Sequence, residues 1–269
     1  MTDAHSPAPR GPAHPFLDVP TPFVMAHRGF HPGGLENSMA AFAAAVDLGV
    51  THLETDVRAT SDGVLVTFHD ARLDRVTTAR GRLERLPWSR LRRVRIGGAE
   101  PIPTLEEVLG TWPQLRVNVD LKSASAVAPF VEVIRRTGAL HRVLVSSFSG
   151  RRRAAAVRAL RREGPVAYSP APAGVAAVLA AAHLGARPGT ADRISAALGG
   201  ACCLQVPELA GPLRVVSADL VTAVHAAGRQ VHVWTVDDPA QMRRLLDLGV
   251  DAIVTNRSDL ALAAIAGHS

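Results

Sequence analysis

Phe23-Val24-Met25-Ala26-His27-Arg28-Gly29, followed by Ser38–Leu48 and then His52–Val57, decides the fold. The first run is apolar and stops at glycine, which is how a buried strand ends. The second sets Met39, Phe42, Ala43 and Val46 at helical spacing. Ser38 is placed to cap that helix and Gly49 to close it. The third run is a strand again. A strand, a helix and a strand in so short a span make a crossover between parallel neighbours.

The same rhythm continues outward. Thr104–Leu109 opens a helix, with Thr104 and Glu107 spaced as a capping box. Leu115–Leu121, Val143–Ser147, Val166–Tyr168, Ala201–Val206, Val231–Val236 and Ala252–Thr255 read as strands. Ala126–Thr137, Arg151–Arg162, Ala218–Ala227, Pro239–Leu248 and Asp259–Ala266 read as helices. Val64–His69 also reads as a strand, parted from His52–Val57 by the turn Ser61-Asp62-Gly63. Roughly eight strand–helix units in 269 residues predict a TIM (β/α)₈ barrel. No G-x-G-x-x-G follows the first strand, which argues against an open dinucleotide-binding sheet. Residues 71–103 break the rhythm and read as an inserted loop or small subdomain after the strand ending at His69. Residues 1–20 read as a flexible lead-in, and 21–269 as one barrel.

Composition excludes several classes. Hydrophobic residues make up 47% and charged residues 20%, enough for a core and too apolar for a disordered or fibrous chain. Met1–Pro20 has no apolar run that would serve as a secretion signal. The most apolar stretch, Gly174–Leu184, falls well short of the ~20 residues that span a bilayer. It reads as a buried Ala-rich helix. Cys202 and Cys203 are adjacent, so neither a disulfide framework nor zinc spacing is present. These features make the cytoplasm the expected compartment. The net charge is +6, yet Lys122 is the sole lysine against 29 arginines. The arginine runs at 80–95 and 151–162 therefore read as solvated faces in which arginine stands for lysine. Aromatics are only 4%, too few for a nucleic-acid stacking platform. No nucleic-acid partner is expected, and weak contact with anionic lipid stays open.

In a barrel, reacting groups gather at the C-terminal ends of strands. His27 and Arg28 end the first strand. Glu54 and Asp56 are two apart, hence on one face of the next. His69 and Asp70 end a further run. Asn118, Asp120 and Lys122 share the face opposite Val117, Val119 and Leu121, and His232 shares a face with Trp234. Glu54, Asp56 and Asp120 would repel one another in a barrel mouth unless a cation offset them. All-oxygen ligation suits Mg²⁺, Ca²⁺ or Mn²⁺. The competing reading is a salt-bridge layer with arginines. The lone lysine, beside Asp120, suits phosphate binding.

The stretches Met25-Ala26-His27-Arg28-Gly29-Phe30, Leu35-Glu36-Asn37-Ser38, Glu54-Thr55-Asp56-Val57, Phe68-His69-Asp70 and Leu73-Asp74-Arg75-Val76-Thr77 together resemble the opening of the glycerophosphodiester phosphodiesterases. Ile102–Leu109, Val119–Lys122, Val145–Phe148, Val233–Asp237 and Gly249–Asn256 agree with the same family. The likeness runs from about Pro22 to Leu262 and is weak over 164–200. It implies a TIM barrel with a small insertion after the second barrel strand, at residues 71–103. It also implies metal-dependent hydrolysis of glycerophosphodiesters, such as glycerophosphocholine or glycerophosphoethanolamine, to glycerol 3-phosphate and an alcohol. By position, His27 and His69 match the acid–base pair, and Glu54, Asp56 and Asp120 the ligands of one divalent cation, Mg²⁺ or Ca²⁺. Arg28 and Lys122 match phosphate binders, Trp234 a wall for the glycerol or head group, and Asn37 a supporting residue. Four positions depart from the family pattern: Asp120 stands where glutamate is usual, Leu35 and Ser38 replace proline and threonine, and Ser149 replaces an acid.

Two rival readings remain at this stage. One is a lysophospholipase D or phospholipase C-like enzyme, which needs an apolar groove near the mouth. The insertion carries Trp88 and few leucines, which favours soluble head groups. The other is a non-catalytic binding barrel, which needs broken site residues, and only Asp120 departs.

Overall fold

The computed structural model describes residues 14–183 and 189–268. Eight parallel strands form the barrel: Phe23–His27, His52–Ala59, Arg116–Leu121, Val143–Ser146, Ala167–Tyr168, Cys203–Pro207, Gln230–Trp234 and Ala252–Thr255. The first pairs with both the second and the eighth, in the register Met25 to His52 and Met25 to Val254. Pairing runs round the ring except between the fifth and sixth, which meet through Cys202 N–H donating to the Tyr168 carbonyl at 3.1 Å. The result is a nearly closed TIM barrel with helices between the strands, as the rhythm of the chain requires.

The local chemistry explains the elements. Ser38 caps Met39–Asp47 by accepting from Ala41 N, and Thr104 with Glu107 forms the expected capping box on Leu105–Thr111. Outward residues such as Leu53, Val57, Val117 and Val119 join the layer under the helices. Phe23, Met25, Leu144 and Val254 fill the barrel's interior below the mouth. Residues Leu73, Leu83, Leu91, Ile96 and Ile102 give the inserted segment an apolar cluster of its own.

Four expectations change. The strand expected at Val64–His69 is Leu65–Thr67, and it pairs antiparallel to the second barrel strand. Gly63, at φ +85, turns the chain back there, so this strand lies outside the ring. The Ala-rich stretch folds as Pro172–His183, but only Val178, Ala181 and Ala182 are buried. Alanine is too small to demand an all-round burial; Leu184 lies outside the described residues. A helix at Thr190–Leu198 was not expected. The lead-in differs most. Residues 1–13 lie outside the described ones, but from His14 the chain is part of the barrel. Phe16 is fully buried and meets the His52 ring edge-on at 5.2 Å, closing the N-terminal end.

Two buried imidazoles sit at that closed end. His52 Nε2 donates to the Phe16 carbonyl at 3.1 Å, and Nδ1 accepts from Thr51 Oγ1 at 3.0 Å. His232 Nε2 donates to Gln230 Oε1 at 3.0 Å, and Gln205 Nε2 is 3.4 Å from Nδ1. Each ring thus has one donor and one acceptor role filled, the pattern of a neutral imidazole. Burial pushes His52 down to about 3 and His232 to about 4.

Gly29 marks where the first strand hands over to its helix. It sits at φ +85, and an added Cβ would lie 2.6 Å from the Ala41 carbonyl carbon. The approach is fixed because Phe30 N–H donates to Ala41 O at 2.8 Å. Gly29→Ala is expected to cost about 1–3 kcal/mol through overlap and left-handed strain. Thermal unfolding reads the loss; an unshifted midpoint contradicts it.

Candidate active site

The first three barrel strands place the polar groups. Parallel register sets Glu54 beside Asn118 and Asp56 beside Asp120. All four point inward and upward into a cavity of about 530 Å³ at the C-terminal mouth. His27, Arg28, His69, Lys122 and Trp234 line the same cavity. Every residue expected to act therefore reaches one space except Asn37, which stands behind it.

The carboxylates are partly paired already. Lys122 Nζ lies 2.9 Å from Asp56 Oδ1 and 2.7 Å from Asp120 Oδ2. Arg28 Nε stands 2.9 Å from Asp56 Oδ2 in an ion pair without aligned hydrogen-bond geometry. The salt-bridge reading thus holds for Asp56. Burial raises Asp56, but Lys122 and Arg28 outweigh it and hold it below the usual carboxylate range. Lys122 is lowered by burial and raised more strongly by Asp56 and Asp120.

Glu54 and Asp120 differ. Glu54 Oε2 and Asp120 Oδ1 are buried with no hydrogen-bond partner. Burial pushes Glu54 well up, and the Asp56 charge adds to it. Burial also raises Asp120, against the pull of Lys122. Two hard oxygens left unpaired beside a third carboxylate suit a hard divalent cation. Among the described residues, however, no three acidic, histidine or cysteine side chains are already gathered as a metal centre. Lys122 stands between Asp56 and Asp120 instead.

Asn37 supports the cluster from behind. Its Nδ2 donates to Asp56 Oδ2 at 3.1 Å, and its Oδ1 accepts from Thr55 Oγ1 at 2.7 Å. Arg28 and Asn37 both hold φ +58, a conformation costly for a side-chain-bearing residue. Both are fixed there by the cluster they serve.

The histidines are oriented by residues that the strand pattern alone did not mark. His27 Nδ1 donates to Asn256 Oδ1 at 2.7 Å. Asn256 Nδ2 in turn donates to Asp237 Oδ2 at 2.8 Å. That leaves Nε2 for the cavity, 3.8 Å from Glu54 Oε2. Burial lowers His27, and Arg28 adds to the shift, so the ring is neutral near pH 7. His69 Nδ1 is 2.6 Å from Asp70 Oδ1. Burial raises Asp70, but Arg75 and His69 pull it to about 2. His232, which shares a strand face with Trp234, lies sealed below the site.

The other half of the mouth is apolar. Phe148, Pro170, Pro172, Val175, Leu179 and Trp234 line it. Phe148 meets Trp234 edge-on at 5.8 Å, and Lys122 Nζ lies 5.4 Å from its centroid. Phe148 and Pro170 follow the fourth and fifth barrel strands, Pro172, Val175 and Leu179 lie on the helix Pro172–His183, and Trp234 ends the seventh strand. The insertion contributes none of them.

A barrel mouth that gathers two oriented imidazoles, cations and carboxylates has the layout of an enzyme's active site. Residues 27–260 match the Glycerophosphoryl diester phosphodiesterase family. A Mycobacterium tuberculosis (strain ATCC 25618 / H37Rv) protein named "Probable glycerophosphodiester phosphodiesterase 2" is 46% identical over 238 residues, covering 88% of each chain. The barrel superposes on a glycerophosphodiester phosphodiesterase from Agrobacterium tumefaciens str. C58 with TM-score 0.73, at 23% identity over 91% of this chain and 99% of that one. It also superposes on an Oleispira antarctica phosphodiesterase in complex with the product sn-glycerol-3-phosphate, with TM-score 0.72 at 24% identity, covering 91% and 97%. The chain belongs to the glycerophosphodiester phosphodiesterase family. It is an enzyme, a hydrolase of phosphoric diesters. Among the described residues, no helix is long and apolar enough to cross a membrane.

Proposed function

We propose that the chain hydrolyses glycerophosphodiesters, such as glycerophosphocholine or glycerophosphoethanolamine, to glycerol 3-phosphate and an alcohol, using His27 and His69 and one divalent cation, Mg²⁺ or Ca²⁺. The observation that carries this reading is the single cavity shared by both imidazoles, Arg28, Lys122 and the three acids. The glycerol 3-phosphate in the Oleispira relative supports the product. A cytoplasmic setting accords with Cys202 and Cys203 being free thiols.

Each side chain then has a task. Arg28 and Lys122 face the non-bridging oxygens of a phosphodiester and offset their charge. His27, neutral with Nε2 free, takes the proton of the attacking oxygen. His69, its Nδ1 held by Asp70, delivers a proton to the leaving oxygen. Trp234 walls the glycerol or head group. Glu54 and Asp120 would hold the cation with Asp56, and the ion would add positive charge beside the phosphate. Asp120, a methylene shorter than the usual glutamate, keeps one buried oxygen without a hydrogen-bond partner, which supports this assignment.

The cation is tested without an assay of turnover. Burial and the Asp56 charge raise Glu54, so its ionisation costs stability as pH rises. Glu54→Gln is therefore expected to leave the metal-free protein as stable or more stable at pH 7. Mg²⁺ or Ca²⁺ at 100 times its dissociation constant is expected to stabilise the parent by about 2.7 kcal/mol. The variant should show no such shift in thermal unfolding. A parent melting point unmoved by either ion counts against the cation.

A second reading has a specific support. The apolar half-mouth fits the lipid-directed alternative, a lysophospholipase D or phospholipase C-like activity. Phe148 is 60% exposed and Leu213 62%, the latter on a hairpin after the sixth barrel strand. The insertion, residues 71–103, holds nine arginines against three acids, a net +6 that equals the charge of the whole chain. Apolar and cationic rim residues together suit weak contact with anionic lipid. One panel decides between them: glycerophosphodiesters and lysophospholipids, each with Mg²⁺ or Ca²⁺. Release of glycerol 3-phosphate from the soluble diesters at the higher kcat/KM upholds the first reading.

A further inference from the structure

Arg75 belongs to the insertion, two residues after the buried Leu73 of its apolar cluster. Its guanidinium reaches out of that cluster to two different parts of the mouth. Nε donates to Asp70 Oδ2 at 2.6 Å. Nη1 and Nη2 donate to Glu36 Oε2 and Oε1 at 3.0 and 2.6 Å. Each acid has a further duty. Asp70 holds His69 through its other oxygen, at 2.6 Å. Glu36 Oε1 accepts from Arg28 Nη1 at 3.0 Å. One fork therefore links the imidazole on one side of the cavity to the phosphate-facing guanidinium on the other.

We propose that Arg75 is a positioning residue that sets His69 and Arg28 at once, through Asp70 and Glu36. This rests on the roles given above to His69 and Arg28. The chemistry favours arginine at this place: the fork meets both oxygens of Glu36 with two nitrogens while a third reaches Asp70, a spread that the single nitrogen of an ammonium does not reproduce. Without it, Asp70 loses the contact that fixes its rotamer behind His69. Glu36 keeps Arg28 as its remaining partner and draws that guanidinium away from the cavity. The insertion is thereby a brace for the reacting groups. Arg58 adds to the brace, donating to the His69 carbonyl at 2.9 Å and to Glu84 of the insertion at 2.9 Å.

A simple surface ion pair is the competing account. Arg75 has a side chain 49% exposed, so its pairs contribute little to stability. The two accounts separate on that point. The experiment uses the full chain with saturating Mg²⁺ or Ca²⁺ and glycerophosphocholine as substrate. Arg75→Ala is expected to keep its melting point while kcat falls about 10²-fold, the order that ångström-scale misplacement costs, and KM rises. Added millimolar guanidinium should restore much of kcat, and ammonium at equal ionic strength should not. Arg75→Lys should stay close to Arg75→Ala. His69→Ala and Arg28→Ala are run beside them. If those two are inactive while Arg75→Ala retains the parent kcat/KM, the positioning role is wrong and the site reading stands. Loss of activity together with a lowered melting point, and no rescue by guanidinium, equally overturns it. If His69→Ala or Arg28→Ala is fully active, the site reading itself fails.

Discussion

His27→Ala is expected to lower kcat for glycerol 3-phosphate release by about 10²- to 10⁴-fold, and His69→Ala by the same order. The expectation follows from geometry before chemistry. Asn256 and Asp237 fix the His27 ring from one side, leaving Nε2 as its only free nitrogen. Burial and the Arg28 charge keep that nitrogen unprotonated at neutral pH. A base with a lowered pKa stays competent as the medium is acidified. The acid limb of kcat/KM should thus fall below the ordinary histidine value of about 6.5. Asn256→Ala, which frees the ring but leaves it in place, should lose less than His27→Ala. The double variant His27→Ala/His69→Ala should lose far less than the product of the single losses, since the two act on one proton path. Variants that fold and turn over at the parent rate would remove both residues from the reaction.

Acid should unfold this barrel early. His52 and His232 are neutral in the fold, held at about 3 and about 4, and return to about 6.5 on unfolding. The unfolded chain therefore binds more protons as pH drops through 6.5. Stability from these two rings is complete above that value and lost progressively toward pH 3. With both contributing, the slope approaches about 2.7 kcal/mol per pH unit below pH 5.5. His14 and His27, also lowered by burial, act in the same direction. Glu54 and Asp120, raised by burial, act in the opposite sense as pH drops, so the contribution of the two imidazoles is read as the difference in slope between parent and variant. Urea midpoints from pH 6.5 to 5, compared with His52→Gln/His232→Gln, should show the slope reduced in the variant. An equal slope in both would mean that these rings are protonated in the fold.

Much of the site was legible because it obeys a period of two. Glu54, Asp56, Asn118 and Asp120 alternate with apolar neighbours, and the barrel turns alternation into inward and outward. Gly29 and Ser38 gave the first crossover through turn and cap chemistry alone. Other features depend on pairing that no local pattern encodes. Leu65–Thr67 looks like any strand until its antiparallel partner is known. His27 and Asn256 are 229 residues apart, so only the closed ring brings them together. Lys122 was legible as an exceptional residue, yet its contact with both Asp56 and Asp120 depended on register. Phe16 lay in a polar lead-in, and a single aromatic there gave no sign of its fully buried place. Of the apolar half-mouth only Trp234 was legible, because Phe148, Pro170 and the helix Pro172–His183 reach it only once the ring has closed.

The division of that mouth has an evolutionary corollary. The charged groups come from residues 27–122, while Phe148 to Leu179 and Trp234 supply the greasy wall. A hybrid that imports only the segment 148–179 from a relative would exchange the surface met by the departing alcohol and leave the proton-handling apparatus untouched. Leaving-group preference could then drift in such a lineage without a matching risk to the reaction itself.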